Sequence, residues 1–114
     1  MISIIIPVIN EEGTIVTLLD YISKNSTVKN ISEVIVVDGG SQDKTLQIID
    51  FYAKNADVNV RLISSEKGRA RQMNKGVRNA TGSILYFLHA DSFPPKSFDE
   101  SIISEIKNES RIQV

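Results

Sequence analysis

One histidine and one aspartate directly follow an apolar run in the stretch YFLHADSFPP, at residues 86–95. A carboxylate such as Asp91 suits Mg²⁺ or Mn²⁺, because both ions take oxygen ligands and often share their coordination with bound phosphates. A neutral imidazole at His89 can hydrogen-bond a sugar hydroxyl or ligate a metal. A lone histidine at a strand end is nevertheless more often a hydrogen-bonded structural residue. Residue types alone leave the chemistry of this pair open.

Two further polar groups stand where apolar runs end. Asn10 and Glu11 follow the run at residues 2–8, and Asp38 follows the run at residues 33–37. An acidic side chain in the position of Asp38 accepts hydrogen bonds from ribose hydroxyls in dinucleotide-binding domains. The sequence DGGS is equally typical of turn and capping chemistry, so both interpretations of Asp38 stand. No GxGxxG follows the first run, so the usual phosphate-binding loop for a nicotinamide or flavin cofactor is missing there.

A cluster of cations forms the third candidate group. Lys67, Arg69 and Arg71 flank Gly68 at the expected start of a helix. Cations and free backbone N–H groups at a helix N-terminus favour a bound phosphate. A solvated basic turn is the commoner explanation of such a cluster, and the residue types alone favour it.

Strand-like and helix-like segments alternate between these groups. Nearly continuous apolar runs predict strands at residues 2–8, 33–37, 58–64 and 83–88. Apolar residues at helical spacing predict helices from residue 14, through residues 46–53 with Ser41 or Asp43 as cap, at 69–80 and at 97–109. Residues 111–114 resemble the opening of another strand. This alternation predicts an α/β, Rossmann-like domain with a parallel sheet and helices on both faces. Ligands of such sheets bind outside the carboxyl ends of the strands, where the polar groups are expected to meet.

Length and composition narrow the classes of protein. A chain of 114 residues makes one domain, at residues 1–114, and its net charge of -1 gives no electrostatic case for binding nucleic acid. The absence of cysteine excludes disulfides, thiolate metal sites and a cysteine nucleophile. The start MISIIIPVIN lacks the features of a signal peptide, and no apolar run is long enough to span a membrane. We therefore predict a soluble, cytoplasmic chain.

Four motifs together resemble the N-terminal, nucleotide-binding half of the family 2 glycosyltransferases, which have the GT-A fold and use nucleotide-diphosphate sugars. They are IIIPVINE at residues 4–11, IVVDGGSQDKT at 35–45, KGRARQMNKG at 67–76 and LYFLHAD at 85–91. Each motif alone is weak, whereas four in order at strand ends form a strong signal. The third motif, beside VVDGGS and FLHADS, looks like the subgroup of radical-SAM or selenodomain-associated transferases.

The resemblance implies a role for each candidate residue. The loop after the first strand would line the base pocket, Asp38 would contact the nucleoside, and Asp91 would bind a divalent metal, Mg²⁺ or Mn²⁺. His89 replaces the first aspartate of the family's DxD-type motif and would face the ribose or diphosphate. Met73 stands where most members have an arginine, so Arg69 and Arg71 would take over the phosphate role. The implied nucleotide-binding set is Pro7, Val8, Asn10, Glu11, Asp38, Lys67, Arg69, Arg71, His89 and Ala90.

The implied function is transfer of a sugar from a UDP- or GDP-type donor to an acceptor hydroxyl, with inversion at the anomeric carbon. In the family the general base and the acceptor site lie in the C-terminal half, so we expect both beyond residue 114. The ending inside a strand-like pattern predicts a truncated or split chain that pairs with its missing half or with another copy. Two alternatives are a noncatalytic nucleotide-binding or interaction module and a nucleotidyltransferase-like enzyme.

Overall fold

The computed structural model describes residues 1–108 and shows four parallel strands in one sheet. The strands are β1 (Ile2–Val8), β2 (Ile31–Asp38), β3 (Val60–Ser64) and β4 (Ile84–Phe87), in the spatial order β3-β2-β1-β4. The order reverses between β1 and β4, because β2 and β3 extend from one side of β1 while β4 pairs on the other. A crevice for a ligand is expected at such a reversal.

Four α-helices cover the two faces of the sheet: α1 (Ile15–Lys24), α2 (Thr45–Asn55), α3 (Arg69–Asn79) and α4 (Phe98–Asn108). Buried side chains of α1, α2 and α4 form one cluster with the even-numbered residues of β1. Helix α3 packs on the opposite face, against β1 and β2. The predicted α/β arrangement with helices on both faces is therefore confirmed. None of the helices within the described residues is long and apolar enough to cross a membrane.

The central strands are apolar on both sides because both of their faces are covered. Ile4 and Ile6 of β1 point into the larger cluster, while Ile5 joins Ile35 and Val37 beneath α3. All of these side chains are fully buried. A run of consecutive β-branched residues is thus what a doubly covered parallel strand requires.

Helix α3 approaches the sheet closely at Gly76. A Cβ atom at this position would lie 2.5 Å from Cγ2 of Ile5 and 3.3 Å from Cγ2 of Val37. The first distance is far below van der Waals contact, so only glycine fits this contact without a shift of the helix. The position of Gly76 consequently sets how near the N-terminal end of α3 comes to the strand ends.

The strand register aligns the carboxyl ends. Val8 pairs with Asp38, and Asp38 pairs with Ser64, so β1, β2 and β3 end side by side. β4 ends earlier, with Phe87 paired to Ile5. The residues that follow β4 therefore run beside the last residues of β1, and the strand-end groups predicted from sequence share one edge.

A buried ionic network lies at the opposite end of the sheet. The carboxylate of Glu33, 1% exposed, accepts hydrogen bonds from the Ser3 hydroxyl, the Thr81 N–H at 2.7 Å and the Arg61 guanidinium at 2.6 Å. Burial alone would raise the pKa of Glu33, but the bonds from Ser3, Thr81 and Arg61 outweigh it and lower the pKa to about 2. Sequence analysis assigned this residue only to the start of a strand.

The boundaries differ from the predicted ones by a few residues. β2 begins at Ile31, and β3 begins at Val60 although Val58 is also buried. Neither of the two predicted caps is the N-cap of α2, which is Lys44, but the Asp43 carboxylate accepts the N–H of the first helical residue, Thr45, at 2.9 Å. The strand predicted at residues 111–114 lies outside the described residues.

Candidate functional site

A polar pocket opens where the strand order reverses, outside the carboxyl ends of β1 and β4. Its volume is about 310 Å³. Most of the residues predicted for the site line it: Pro7, Val8, Glu11, Lys67, Arg69, His89, Ala90 and Asp91. Ile9, Gly68 and Gln72 complete the lining. We call this cavity the strand-end pocket. It lies where a parallel sheet of this topology is expected to have its ligand crevice.

The pocket brings both signs of charge together. Lys67 and Arg69 approach from the start of α3, and Asp91 from the segment after β4. All three residues are exposed, so their charges are hydrated in the absence of a ligand. The buried Ala90 and Val8 form an apolar floor. An anion whose charge is shared between cations and a carboxylate-bound metal suits this arrangement.

A tight turn presents His89 and Asp91. The Leu88 N–H donates to the Ile5 carbonyl at 3.0 Å, which continues the ladder one step beyond β4. The Ser92 N–H then donates to the His89 carbonyl at 3.0 Å and closes the turn. Ala90 is buried between the exposed His89 and Asp91, so both polar side chains stay accessible.

Gly68 adopts φ +136°, a backbone conformation that side chains with a Cβ rarely take. This glycine separates Lys67 from Arg69 and starts α3 at the pocket edge. The chain therefore reverses sharply enough there for both cations to line the same cavity.

Asn10 supports the pocket wall from behind. It adopts φ +52°, its N–H donates to the Ser41 hydroxyl at 2.9 Å, and its side-chain oxygen accepts the Gln42 N–H at 2.8 Å. The Glu11 N–H donates to the Thr45 hydroxyl at 2.9 Å. These bonds join the loop after β1 to the loop after β2. Asn10 does not line the strand-end pocket, whereas Glu11 does.

Asp38 is buried and engaged in its own turn. Its carboxylate accepts the Gly40 N–H at 2.9 Å, the Ser41 N–H at 3.1 Å and the Ser41 hydroxyl. Asp38 also lies outside the lining of the strand-end pocket. The turn chemistry that the DGGS sequence suggested is thus present in the structure, and the contact of Asp38 with a nucleoside stays a prediction.

Gln72 is a site residue that sequence reasoning missed. It is 3% exposed, and its side-chain amide donates to the Val8 carbonyl at 3.0 Å and the Val37 carbonyl at 2.8 Å. Its oxygen accepts the Gly68 N–H at 3.3 Å. One side chain therefore ties the ends of β1 and β2 to the start of α3. The available signal was the spacing of Gln72 and Gly76, one helical turn apart on a helix with few apolar residues to bury.

Replacement of Gln72 by methionine tests this tie. Methionine has a similar shape but no N–H donor, so both strand-end carbonyls lose the amide bond, although the Val8 carbonyl still accepts the Gly39 N–H. We expect the free energy of unfolding to fall by about 1–3 kcal/mol. Urea denaturation followed by circular dichroism measures the change. Asn74→Met, on an exposed position of the same helix, is the control and is expected to change stability by less than about 0.5 kcal/mol. Equal stability of the two variants would contradict the assignment.

Comparison with known proteins decides the family. Residues 3–114 match the model of the family described as Glycosyl transferase family 2. The chain belongs to glycosyl transferase family 2. The family inferred from the four motifs is confirmed, and the finer subgroup stays a prediction.

Curated relatives of this family 2 chain come from several organisms. Glycosyltransferase AglE of Haloferax volcanii is 33% identical over 106 residues, which is 92% of this chain and 35% of AglE. The PGL/p-HBAD biosynthesis glycosyltransferase of Mycobacterium tuberculosis is 40% identical over 94 residues, 80% of this chain and 35% of that protein. This family 2 chain thus spans about a third of the length of these relatives.

Solved structures of glycosyltransferases share its fold. TarS of Staphylococcus aureus, residues 1–349 in complex with UDP-GlcNAc, is 28% identical with a TM-score of 0.82, over 96% of this chain and 32% of that one. The mannosyltransferase PcManGT of Pyrobaculum calidifontis, in complex with GDP-Man and Mn²⁺, is 31% identical with a TM-score of 0.75 over 86% of this chain and 29% of that one. The predicted GT-A, Rossmann-like fold is confirmed.

Few side chains in this family 2 domain are placed to ligate a metal ion. Within the described part of the chain, no three His, Asp or Glu side chains are grouped closely enough to hold a metal by themselves. The exposed Asp91 and His89 on one short turn supply at most one carboxylate and one imidazole. They fit an ion that takes its other ligands from bound phosphate and water, as Mg²⁺ and Mn²⁺ do.

Arg71 lies away from the strand-end pocket. It lines a second groove on the outer side of α3, and its guanidinium is 2.8 Å from the Glu66 carboxylate. Arg69 and Arg71 are two positions apart on one helix, so they project in nearly opposite directions. Only Arg69 of the two lines the strand-end pocket.

Proposed function

We propose that the strand-end pocket binds the diphosphate and nucleoside of a nucleotide-diphosphate sugar, as the donor site of an inverting glycosyltransferase. The observation that carries this proposal is the meeting of Lys67 and Arg69 with His89 and Asp91 in one cavity at the point where the strand order reverses. Membership of family 2 supports it, as do the UDP-GlcNAc and GDP-Man complexes of similar structures.

The roles proposed for individual residues follow from their positions. Lys67 and Arg69 would hold the diphosphate, helped by the positive end of α3. Pro7, Val8 and Glu11 would form the wall beside the base. Asn10 would keep this wall in place through the loop after β2. Arg71 would reach the donor only through a change of its present contact with Glu66.

Asp38 is proposed to contact the nucleoside, which is the role that the family resemblance implies for this position. In this structure its carboxylate already accepts hydrogen bonds from the N–H groups of Gly40 and Ser41. A ribose hydroxyl would use a remaining lone pair or replace the Ser41 hydroxyl. The turn itself keeps the carboxylate at the end of β2, next to the end of β1.

Asp91 is proposed to ligate Mg²⁺ or Mn²⁺ together with the donor diphosphate, with His89 facing the ribose or the diphosphate. A bound ion would offset the negative charge that develops on the leaving diphosphate. Lys67 and Arg69 stabilise the same charge from the other side of the pocket. The acceptor hydroxyl would attack the anomeric carbon as the bond to the diphosphate oxygen breaks, and this single displacement inverts the configuration. A cytoplasmic location and pairing with a further copy or chain remain predictions.

Calorimetric titration with UDP and GDP, each with Mn²⁺ and with a chelator, tests donor binding. We expect one nucleotide diphosphate to bind and Mn²⁺ to strengthen the binding. Arg69→Gln is expected to weaken affinity about tenfold, because one charge-assisted contact to phosphate is lost. Asp91→Asn is expected to remove the strengthening of nucleotide binding by Mn²⁺ and to leave the affinity measured with chelator unchanged.

Lys54→Gln is the matched control, since Lys54 is an exposed cation on α2 whose ion-pair partner among residues 1–108 is the exposed Asp50. It should bind nucleotide as the parent chain does. Failure of a folded parent chain to bind UDP or GDP, or equal affinity in Arg69→Gln, would contradict the proposed donor site.

A further inference from the structure

A second polar groove lies on the outer side of α3, apart from the strand-end pocket. Its volume is about 380 Å³, and it is lined by Ser65, Glu66, Arg71, Asn74, Lys75 and Arg78. We call it the α3 groove. Residues 65–69, which lead into α3, divide between the two cavities: Lys67, Gly68 and Arg69 line the strand-end pocket, and Ser65 and Glu66 line the α3 groove.

Positive charge dominates the α3 groove. Three cations line it against the single carboxylate of Glu66. The whole chain carries a net charge of -1, so this excess is local. Helix α3 itself contains four basic residues and no acidic one. A local field of this kind attracts anions whatever the net charge of the chain.

The cations are available to a ligand. The ion pair of Arg71 with Glu66 joins side chains that are 68% and 80% exposed, and such pairs contribute little stability. Within the described residues, Lys75 and Arg78 have no carboxylate partner at ion-pairing distance. A bound anion would therefore displace water and one weak partner only.

The spacing of the cations suits a phosphate group. Arg71, Lys75 and Arg78 stand at helical positions i, i+4 and i+7, so they share one side of α3 over about 10 Å. Guanidinium groups present paired N–H donors that match phosphate oxygens, and the ammonium of Lys75 adds a point charge. Asn74 and Ser65 supply neutral donors at the rim.

We propose that the α3 groove binds a phosphate ester at a site distinct from the donor's diphosphate. Binding of phosphate there needs no nucleotide in the strand-end pocket. The phosphate belongs either to a soluble ester or to a lipid headgroup.

Nuclear magnetic resonance titration of the ¹⁵N-labelled chain with glycerol 3-phosphate tests the groove directly. We expect saturable shifts at the amides of residues 74–78 and Ser65, and weaker affinity by about tenfold in the double variant Lys75→Gln/Arg78→Gln. Glu66→Gln should tighten binding, because it removes the competing carboxylate. Glu66 and Arg78 are exposed and Lys75 is partly exposed, and circular dichroism checks that both variants remain folded.

Sedimentation with phosphatidylglycerol vesicles, compared with phosphatidylcholine vesicles, distinguishes the two sources of phosphate. Binding to the anionic vesicles that the double variant loses identifies a lipid headgroup, and shifts with glycerol 3-phosphate alone identify a soluble ester. The control variant Lys29→Gln/Lys54→Gln removes the same charge outside α3 and should behave as the parent chain.

Equal affinity of the parent chain and the Lys75→Gln/Arg78→Gln variant for both probes would overturn the proposal, as would the absence of any saturable response. Titration with UDP or GDP reports on the strand-end pocket separately. Loss of nucleotide binding with intact phosphate binding at α3 would thus contradict the donor function and leave the α3 groove in place.

Discussion

Replacing Gly76 by valine is expected to lower the free energy of unfolding by about 3 kcal/mol or more, because a side chain is forced into a filled core. The first added atom would lie 2.5 Å from Cγ2 of Ile5, which is fully buried in the central strand. Ile5 cannot move away, since Val37 and the neighbouring strands surround it. The helix must shift instead, and it carries Arg69 and Gln72 with it.

The expected shift of α3 would also change the strand-end pocket. Any Gly76→Val chain that still folds is expected to lose nucleotide affinity, because Lys67 and Arg69 no longer sit at the distance that the sheet edge sets. Chemical denaturation and nucleotide titration of the same sample measure both effects. Gly13→Val is the control, since no atom lies within 4 Å of a Cβ added at Gly13.

A double-mutant cycle with Ile5→Ala separates the contact from general damage. Ile5→Ala removes the methyl group that the new side chain would meet, so it should cost much less in the Gly76→Val background than alone. Strict additivity of the two changes would contradict a direct clash between positions 5 and 76.

Replacing Glu33 by glutamine is expected to cost about 3 kcal/mol of stability near pH 7, and this cost should shrink as the pH falls. The pKa of Glu33 is about 2 in the folded chain against an ordinary value of 4.5. A carboxyl whose folded pKa is depressed contributes stability that is fully present above the unfolded pKa and is lost as the pH falls through the folded one. A difference of that size corresponds to about 3 kcal/mol.

The pH window follows from the same two values. The difference in unfolding free energy between the parent chain and Glu33→Gln should fall to roughly half by pH 3. Urea denaturation at several pH values between 7 and 3 measures it. Glu66→Gln is the matched control, because Glu66 also pairs with an arginine at 2.8 Å but on the surface, and it should change stability by less than about 1 kcal/mol. A pH-independent difference at Glu33 would contradict the ionic network.

The sheet and the convergence of the strand-end residues could be predicted because both follow from local pattern. Runs such as residues 2–8, short and rich in β-branched residues, are typical of doubly covered strands, and parallel strands bring their carboxyl ends to one edge. His89, Asp91, Lys67 and Arg69 therefore meet as expected. The strand boundaries shift by a residue or two. Pairing in β2 continues to Asp38, beyond the apolar run, whereas β3 and β4 are shorter than the patterns predicted.

The details of the site depended on packing that no local pattern contains. Gln72 became a tie between β1 and β2 because Gly76 lets α3 approach the sheet. Asp38 is an exception, because its bonds from the Gly40 and Ser41 N–H groups are the turn chemistry that the local sequence DGGS had suggested. The separation of Arg69 from Arg71 was accessible in principle, because neighbours two apart on a helix do not share a side.

The placement of the two polar clusters at opposite ends of the sheet has a consequence for evolution. Glu33 and Asp38 are five positions apart on β2, about 16 Å along the strand, which exceeds the screening length at physiological salt. Charges at the strand-end pocket can therefore be exchanged one at a time without disturbing the ionic network. The family resemblance predicts an aspartate at position 89, and an exchange between aspartate and histidine there would change ligand preference while the scaffold stays equally stable.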